Sequence, residues 1–260
     1  MMKKILAAIA AAMFVSSATA QVVTNGQMSH HSKVSHYNYD FASGAVTPAT
    51  SSSEEGPGVA WDATMFVGSF WNGGANTGIG GEDVDWGDVA PGTVVNGFDI
   101  GIASDSTDDI DLTINFYEPG DGFGDASALV ASFPLTLPGP GDPINGGIFA
   151  ATFTIDLVGS EFTLADGNFE YGYEYVNNGN GAATGPLLVA LDPTNAPGTD
   201  DAWDQYVGGT QASGGTVSTF FFGGDPYAQF YMKLHTVPEP GTIGLLLMGS
   251  LFGFGLIRRR

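Results

Sequence analysis

Carboxylates are the commonest groups in this sequence with chemistry to offer, and three places gather them. Asp105, Asp108, Asp109 and Asp111 crowd one short stretch. Glu82-Asp83-Val84-Asp85 with Asp88 forms a second group, and Asp121-Gly122-Phe123-Gly124-Asp125 a third. Calcium takes six to eight oxygens from carboxylates, carbonyls and water, and flexible Asp- and Gly-rich loops supply them. The stretch Asp105 to Asp111 is therefore the calcium candidate. None of the three follows the EF-hand order of Asp, Asn and Gly positions. Aspartate is equally at home in solvated turns, where its side chain bonds nearby backbone. Calcium and plain turns both stand as readings.

Aromatic side chains are the next candidates. Phe169, Tyr171, Tyr173 and Tyr175 fall on one face of a predicted strand, with Glu170 and Glu174 on the other. Tyrosines stack on sugar rings at glycan-binding surfaces, and they also pack as cross-strand pairs against a core. Core packing is the expectation and sugar binding the alternative. Trp61, Trp71, Trp86 and Trp203, beside acidic or glycine-rich stretches, read the same way. A glycosidase needs two carboxyls ~5 to 9.5 Å apart across the scissile bond. Glu170 and Glu174, four positions apart on one strand, would sit ~13 Å apart, so that pair does not serve. His30, His31 and His36 lie in a polar leader and His235 near the other end, which does not suit a rigid triad or zinc site. The three leader histidines would hold a transition metal only weakly. No H-E-x-x-H, G-x-S-x-G or phosphate-binding glycine motif occurs. The chain reads as a non-enzyme.

The elements that must position these residues are strands. In Asp111 to Tyr117, Leu112, Ile114 and Phe116 point one way, and Asp111, Thr113, Asn115 and Tyr117 the other. The same alternation marks Phe98 to Ile102, Phe149 to Leu157 and Ala228 to Leu234. Further strands are predicted at Val59 to Phe70, Ala128 to Leu137, Asn168 to Val176, Pro186 to Leu191 and Val217 to Phe222. No helical apolar period with caps occurs in this region. About nine or ten antiparallel strands with turn-rich connections predict an all-β fold, an antiparallel β-sandwich of jelly-roll-like type. A barrel is the alternative. No fixed repeat argues for a propeller or β-helix.

Charge and composition bound the function. All 28 acidic residues lie between positions 21 and 240, against Lys33 and Lys233 alone, so this section carries a net charge of −26. Nucleic acid binding requires clustered Lys and Arg, and an anionic membrane surface would repel such a chain. A single-signed charge keeps a protein soluble and attracts divalent cations. With no cysteine, thiol nucleophiles, zinc-thiolate sites and disulfides are excluded.

The ends differ from the middle. Residues 1–20 begin with Lys3 and Lys4, continue in an apolar run from Ile5 to Val15, and close on Ala18-Thr19-Ala20. That order is a secretory signal peptide, and its run is far shorter than the ~20 residues a span needs. Residues 21–55 read as a polar, loosely attached leader, with a short strand near His36 to Phe41, and 56–236 as the β ectodomain. Residues 237–260 form a tail: Pro238-Glu239-Pro240, an uncharged apolar run from Ile243 to Ile257, then Arg258-Arg259-Arg260. The prolines stop strand and helix alike. The apolar run is a transmembrane-type helix, short unless the bilayer thins, and the arginines hold its end in the cytoplasm.

This tail resembles the PEP-CTERM sorting signal of Gram-negative bacteria, in which a Pro-Glu-Pro motif, a membrane segment and a basic end follow in this order. The resemblance implies recognition by an exosortase, a membrane-embedded processing enzyme, with the protein membrane-anchored through the tail before processing. It further implies a place at the cell surface or in an exopolysaccharide-containing matrix, with extracellular polysaccharide as a partner. The middle section is similar to β-sandwich ectodomains that precede such tails, a likeness that names no activity. The expected role is structural or adhesive, and a carbohydrate-binding module is the alternative.

Overall fold

A computed structural model describes residues 26–27, 34–50, 58–64, 66–73, 78–118, 128–139, 148–179, 183–190, 202–221 and 228–236. The expected signal helix, the expected C-terminal helix and the third acidic group lie outside these residues.

The described residues are all-β and form two sheets. The larger runs, in spatial order, through β1 (Gly26–Gln27), β5 (Phe66–Phe70), β13 (Thr184–Ala190), β7 (Thr93–Ser104), β10 (Phe149–Asp156), β2 (Val34–Asp40) and β3 (Ala45–Ala49). β17 (Met232–Thr236) and β11 (Phe162–Leu164) also pair with β7, β4 (Val59–Ala63) with β17, and β16 (Ala228–Phe230) with β13. The smaller sheet has the order β15 (Thr216–Phe221), β14 (Ala202–Val207), β6 (Glu82–Asp88), β12 (Asn168–Asn177), β8 (Ile110–Glu118) and β9 (Ala128–Leu137).

The faces follow from the side-chain alternation. Phe98, Ile100 and Ile102 of β7 and Leu112, Ile114 and Phe116 of β8 point into one shared core. The sheets meet face to face through rings: Phe98 meets Phe116 edge-on at 5.3 Å, and Trp61 of β4 meets Phe169 and Tyr171 of β12 at 5.3 and 5.6 Å. Each such pair adds about 0.5–1.5 kcal/mol beyond its area burial. The tyrosine tips are satisfied across the gap. Tyr171 and Tyr173 donate to the carbonyls of Phe230 and Tyr231 at 2.8 and 2.6 Å. Gly87 has to be glycine, because a Cβ there would overlap the Trp61 indole.

Three features depart from the expected pattern. The larger sheet is not purely antiparallel: β10 pairs with β2 in parallel, from Ala150 opposite Val34 to Asp156 opposite Asp40. This register sets Tyr37 beside Phe153, their rings stacked at 5.3 Å, and Tyr39 beside Ile155, so the aromatic side of β2 faces the core. Strands β2 and β3 also bring residues 34–49 into the sheet, inside the stretch read as a polar leader. In addition, β6 and β14 are strands that the acid-rich stretches Glu82–Asp88 and Ala202–Val207 conceal, because Glu82, Asp83, Asp85 and Asp204 are buried.

Candidate functional site

The calcium candidates sit where β7 turns into β8. Asp105 Oδ1 accepts the Ala183 amide at 2.9 Å, and Asp109 Oδ1 the Gly139 amide at 3.3 Å. Asp111 accepts Thr136 Oγ1 at 2.8 Å and Asn177 Nδ2 at 3.4 Å. Asp108 is exposed, and its amide donates to Ser106 Oγ. The recorded partners of Asp105, Asp109 and Asp111 thus lie in different segments, and among the described residues no three acidic or histidine side chains gather as a metal site. The Glu82-Asp83-Val84-Asp85 group is split by the pleat of β6. Glu82 faces away from the core, while Asp83 and Asp85 point into it.

The core-facing acids have distinct surroundings. Asp85 accepts the amides of Phe230 at 2.9 Å and Trp86 at 2.8 Å. Asp83 Oδ1 accepts Gln205 Nε2 at 3.2 Å. The Trp71 indole N–H and the Tyr175 hydroxyl face Asp83 from outside hydrogen-bonding geometry, leaving Oδ2 without a partner among the described residues. Burial, only partly offset by these neighbours, raises the Asp83 carboxyl to about 7. Burial likewise pushes the hydroxyls of Tyr171, Tyr173 and Tyr175 upward.

A carboxylate network occupies the outer face of the smaller sheet. Glu82 on β6 lies directly opposite Glu174 on β12, and Trp86 opposite Glu170. Asn115 Nδ2 on β8 donates to Glu82 Oε1 at 2.8 Å and to Glu174 Oε2 at 3.2 Å. The Tyr117 hydroxyl meets both Glu82 oxygens, at 3.0 and 2.9 Å. The loop between β14 and β15 closes over them. Gly208 and Gly214 take left-handed φ values of 73° and 85°, and Thr210 O accepts the amides of Ser213, Gly214 and Gly215. That turn lays Gln211 on the acids: its amide reaches Glu82 Oε2 at 2.9 Å and its side chain reaches Glu170 Oε2 at 2.5 Å. Gly172, directly opposite Val84 and Asn115, makes room, since a Cβ there would overlap the Glu82 carboxyl. Burial, with a smaller contribution from the Glu174 charge, raises Glu82 to about 7 against the pull of its donors.

The pair the sequence offered, Glu170 and Glu174, shares one strand. The structure instead couples each of them to groups on other strands. Glu82 opposite Glu174 was invisible to sequence spacing; the one local hint is a glycine inside the run Phe169 to Tyr175. Chemically, the face holds a protonatable acid beside a second carboxylate. Both Glu82 oxygens are already bonded, and Glu82 and Glu170 are enclosed.

The outer face of the larger sheet is different. A cleft of ≈ 650 Å³ opens there, lined by Asn38, Asp40, Asn96, Thr154, Asp156 and His235 among others. Beside it, Lys233 Nζ pairs with Asp62 Oδ2 at 2.9 Å, and His235 Nε2 with Asp99 Oδ1 at 2.8 Å. His36 Nδ1 bonds Thr152 Oγ1 at 2.7 Å; His30 and His31 lie outside the described residues. The predicted aromatic face of β12 is wholly core: Phe169, Tyr171, Tyr173 and Tyr175 are all 0% exposed. Trp61, Trp71 and Trp203 are buried as well, and Trp86 is partly exposed.

No curated protein matches the chain. One family model does match a part of it, the PEP-CTERM protein-sorting motif, over residues 236–260. The match contains Pro238, Glu239, Pro240 and Arg258 to Arg260, and it starts at Thr236, the last residue of β17. The chain thus carries at its C-terminal tail the PEP-CTERM protein-sorting motif, which implies an exported surface protein sorted by an exosortase, a membrane processing enzyme.

Proposed function

We propose that the β domain is the cargo of this tail: a structural or adhesive protein of the cell surface or extracellular matrix, with no catalytic role. The chain is held in the membrane through its apolar C-terminal segment until the tail is processed, and the domain is a β-sandwich of jelly-roll-like type. One observation carries the reading. Among the described residues the last hydrogen-bonded strand ends at Thr236, where the sorting motif begins, so removal of the tail takes no described strand from either sheet. The closed Glu82 network, with its acids already bonded, supports a non-catalytic domain. Support for an adhesive surface comes from the hairpin of β14 and β15, whose Val207, Val217 and Phe221 are about half exposed.

The test is mass spectrometry of the C-terminal peptide from natively produced protein, taken separately from membranes and medium. A chain ending near Pro240 outside the cell is the expected result. Intact Arg258 to Arg260 in membrane fractions alone would make the tail a simple anchor.

A second reading, carbohydrate binding, has its own observation in the cleft on the larger sheet. Its volume suits a small ligand, and its amide, hydroxyl and carboxylate lining offers hydrogen bonds to sugar hydroxyls. Binding on a glycan array that Asn38→Ala or Asp156→Ala abolishes would favour it, and no binding to any glycan would count against it.

A further inference from the structure

Lys233 is the lone lysine among the described residues, and it is enclosed. Its Nζ lies 2.9 Å from Asp62 Oδ2, with the two side chains 4% and 9% exposed. The residues stand directly opposite each other on β17 and β4. The second oxygen, Asp62 Oδ1, accepts the Thr64 hydroxyl at 2.5 Å. On the other flank of β17, Lys233 stands opposite Asp99, fully buried and paired with His235. An enclosed amine and carboxyl thus meet beside a donor to the carboxyl's other oxygen and a carboxylate–imidazole pair whose imidazole reaches the cleft.

We propose that Lys233 and Asp62 condense to an intramolecular amide, joining Nζ to Cγ and fastening β17 to β4. The proton passes from Nζ to Oδ2 along the existing hydrogen bond, leaving an amine and a carboxylic acid. The nitrogen lone pair attacks Cγ, and the carbonyl pair moves onto Oδ1, where the Thr64 hydroxyl donates to it. The nitrogen gives up its extra proton through the Asp99–His235 pair to the Oδ2 hydroxyl. The Cγ–Oδ2 bond then breaks with its electron pair, water leaves, and the Oδ1 pair re-forms the carbonyl. One amine and one acid give one amide and one water, with no oxidation, reduction or co-reactant. Registered strands hold the reacting atoms in contact distance, which replaces a bimolecular encounter with an intramolecular one. Enclosure favours the neutral product over two buried charges. In an exported chain without cysteine, such a bond supplies the covalent tie that a disulfide supplies elsewhere. It also sits immediately before the sorting tail, where a surface attachment would pull.

The experiment is the intact mass of the natively exported protein, measured after denaturation and followed by peptide mapping. The expected mass is lower than that of the processed sequence by one water. The loss is expected to map to a branched peptide containing both Asp62 and Lys233, and trypsin is expected to leave the bond after Lys233 uncut. Asp62→Ala restores the full mass and tryptic cutting, and Asp99→Asn slows the conversion. A wild-type protein of full mass, cut normally after Lys233, overturns the proposal. Should the variants fail to fold, the wild-type mass and map alone decide.

Discussion

The two outer sheet faces bury charge by opposite means. On the smaller sheet, Glu82, Glu170 and Glu174 are met by neutral donors: an asparagine, a tyrosine and a glutamine with its backbone amide. On the larger sheet, Asp62 and Asp99 are met by a lysine and a histidine. A section with 28 acids and two lysines cannot neutralise its buried acids with cations. Neutral hydrogen bonds leave the desolvation cost only partly offset, and at Glu82 burial raises the carboxyl to about 7. One face should therefore respond to pH and the other to loss of its cation.

The largest expected effect tests the first face together with the core beneath it. Glu82 and Asp83 both stand near 7 in the folded protein, against about 4 in the unfolded chain. The unfolded state releases these protons first as pH rises. The stability they contribute is complete below about pH 4, falls as pH climbs to about 7 and then levels off. Thermal or urea melts should gain about 5 kcal/mol from pH 8 to pH 5 for the two groups together. Glu82→Gln and Asp83→Asn should each flatten that slope by about half.

Next comes the cation. Measured against refolded protein in which the two groups are still an ion pair, Lys233→Met leaves Asp62 buried without its cation and should cost about 3–5 kcal/mol in urea unfolding. An equal loss from Glu82→Gln would erase the contrast between the faces. Gly172→Ala should cost about 1–3 kcal/mol, because its Cβ enters the space of the Glu82 carboxyl. Combined with Glu82→Ala, the cost should be less than additive. The smallest effect is Gln211→Ala, about 1 kcal/mol, with faster hydrogen exchange in the β14–β15 loop and little change in the core strands.

Much of the fold was legible from short-range pattern. The alternation in β8 and β10 marks one-sided strands, and the run Ala128–Leu137 matches β9 residue for residue. β6 was hidden because buried carboxyls look like loop acids in a sequence. β2 answers the short strand expected near His36 to Phe41, but its membership of the sheet was hidden because its core contacts are two tyrosines that take meaning only beside Phe153 and Ile155. The candidate site was less legible. Tyr171 and Tyr173 are equally suited to a sugar platform and a core, and only the second sheet lying over them decides for the core.

Local and terminal features lie wholly in the order of residues. The Pro-Glu-Pro tail, the acidic balance, the absence of cysteine and the period of two need no partner strand to be read. Long-range register is a different kind of information. Gln211 meets Glu82 across 129 positions, and Lys233 meets Asp62 across nearly the whole domain. Both meetings follow from which strands become neighbours and at what offset. That choice minimises the exposed apolar area of all strands at once, so no window of sequence contains it.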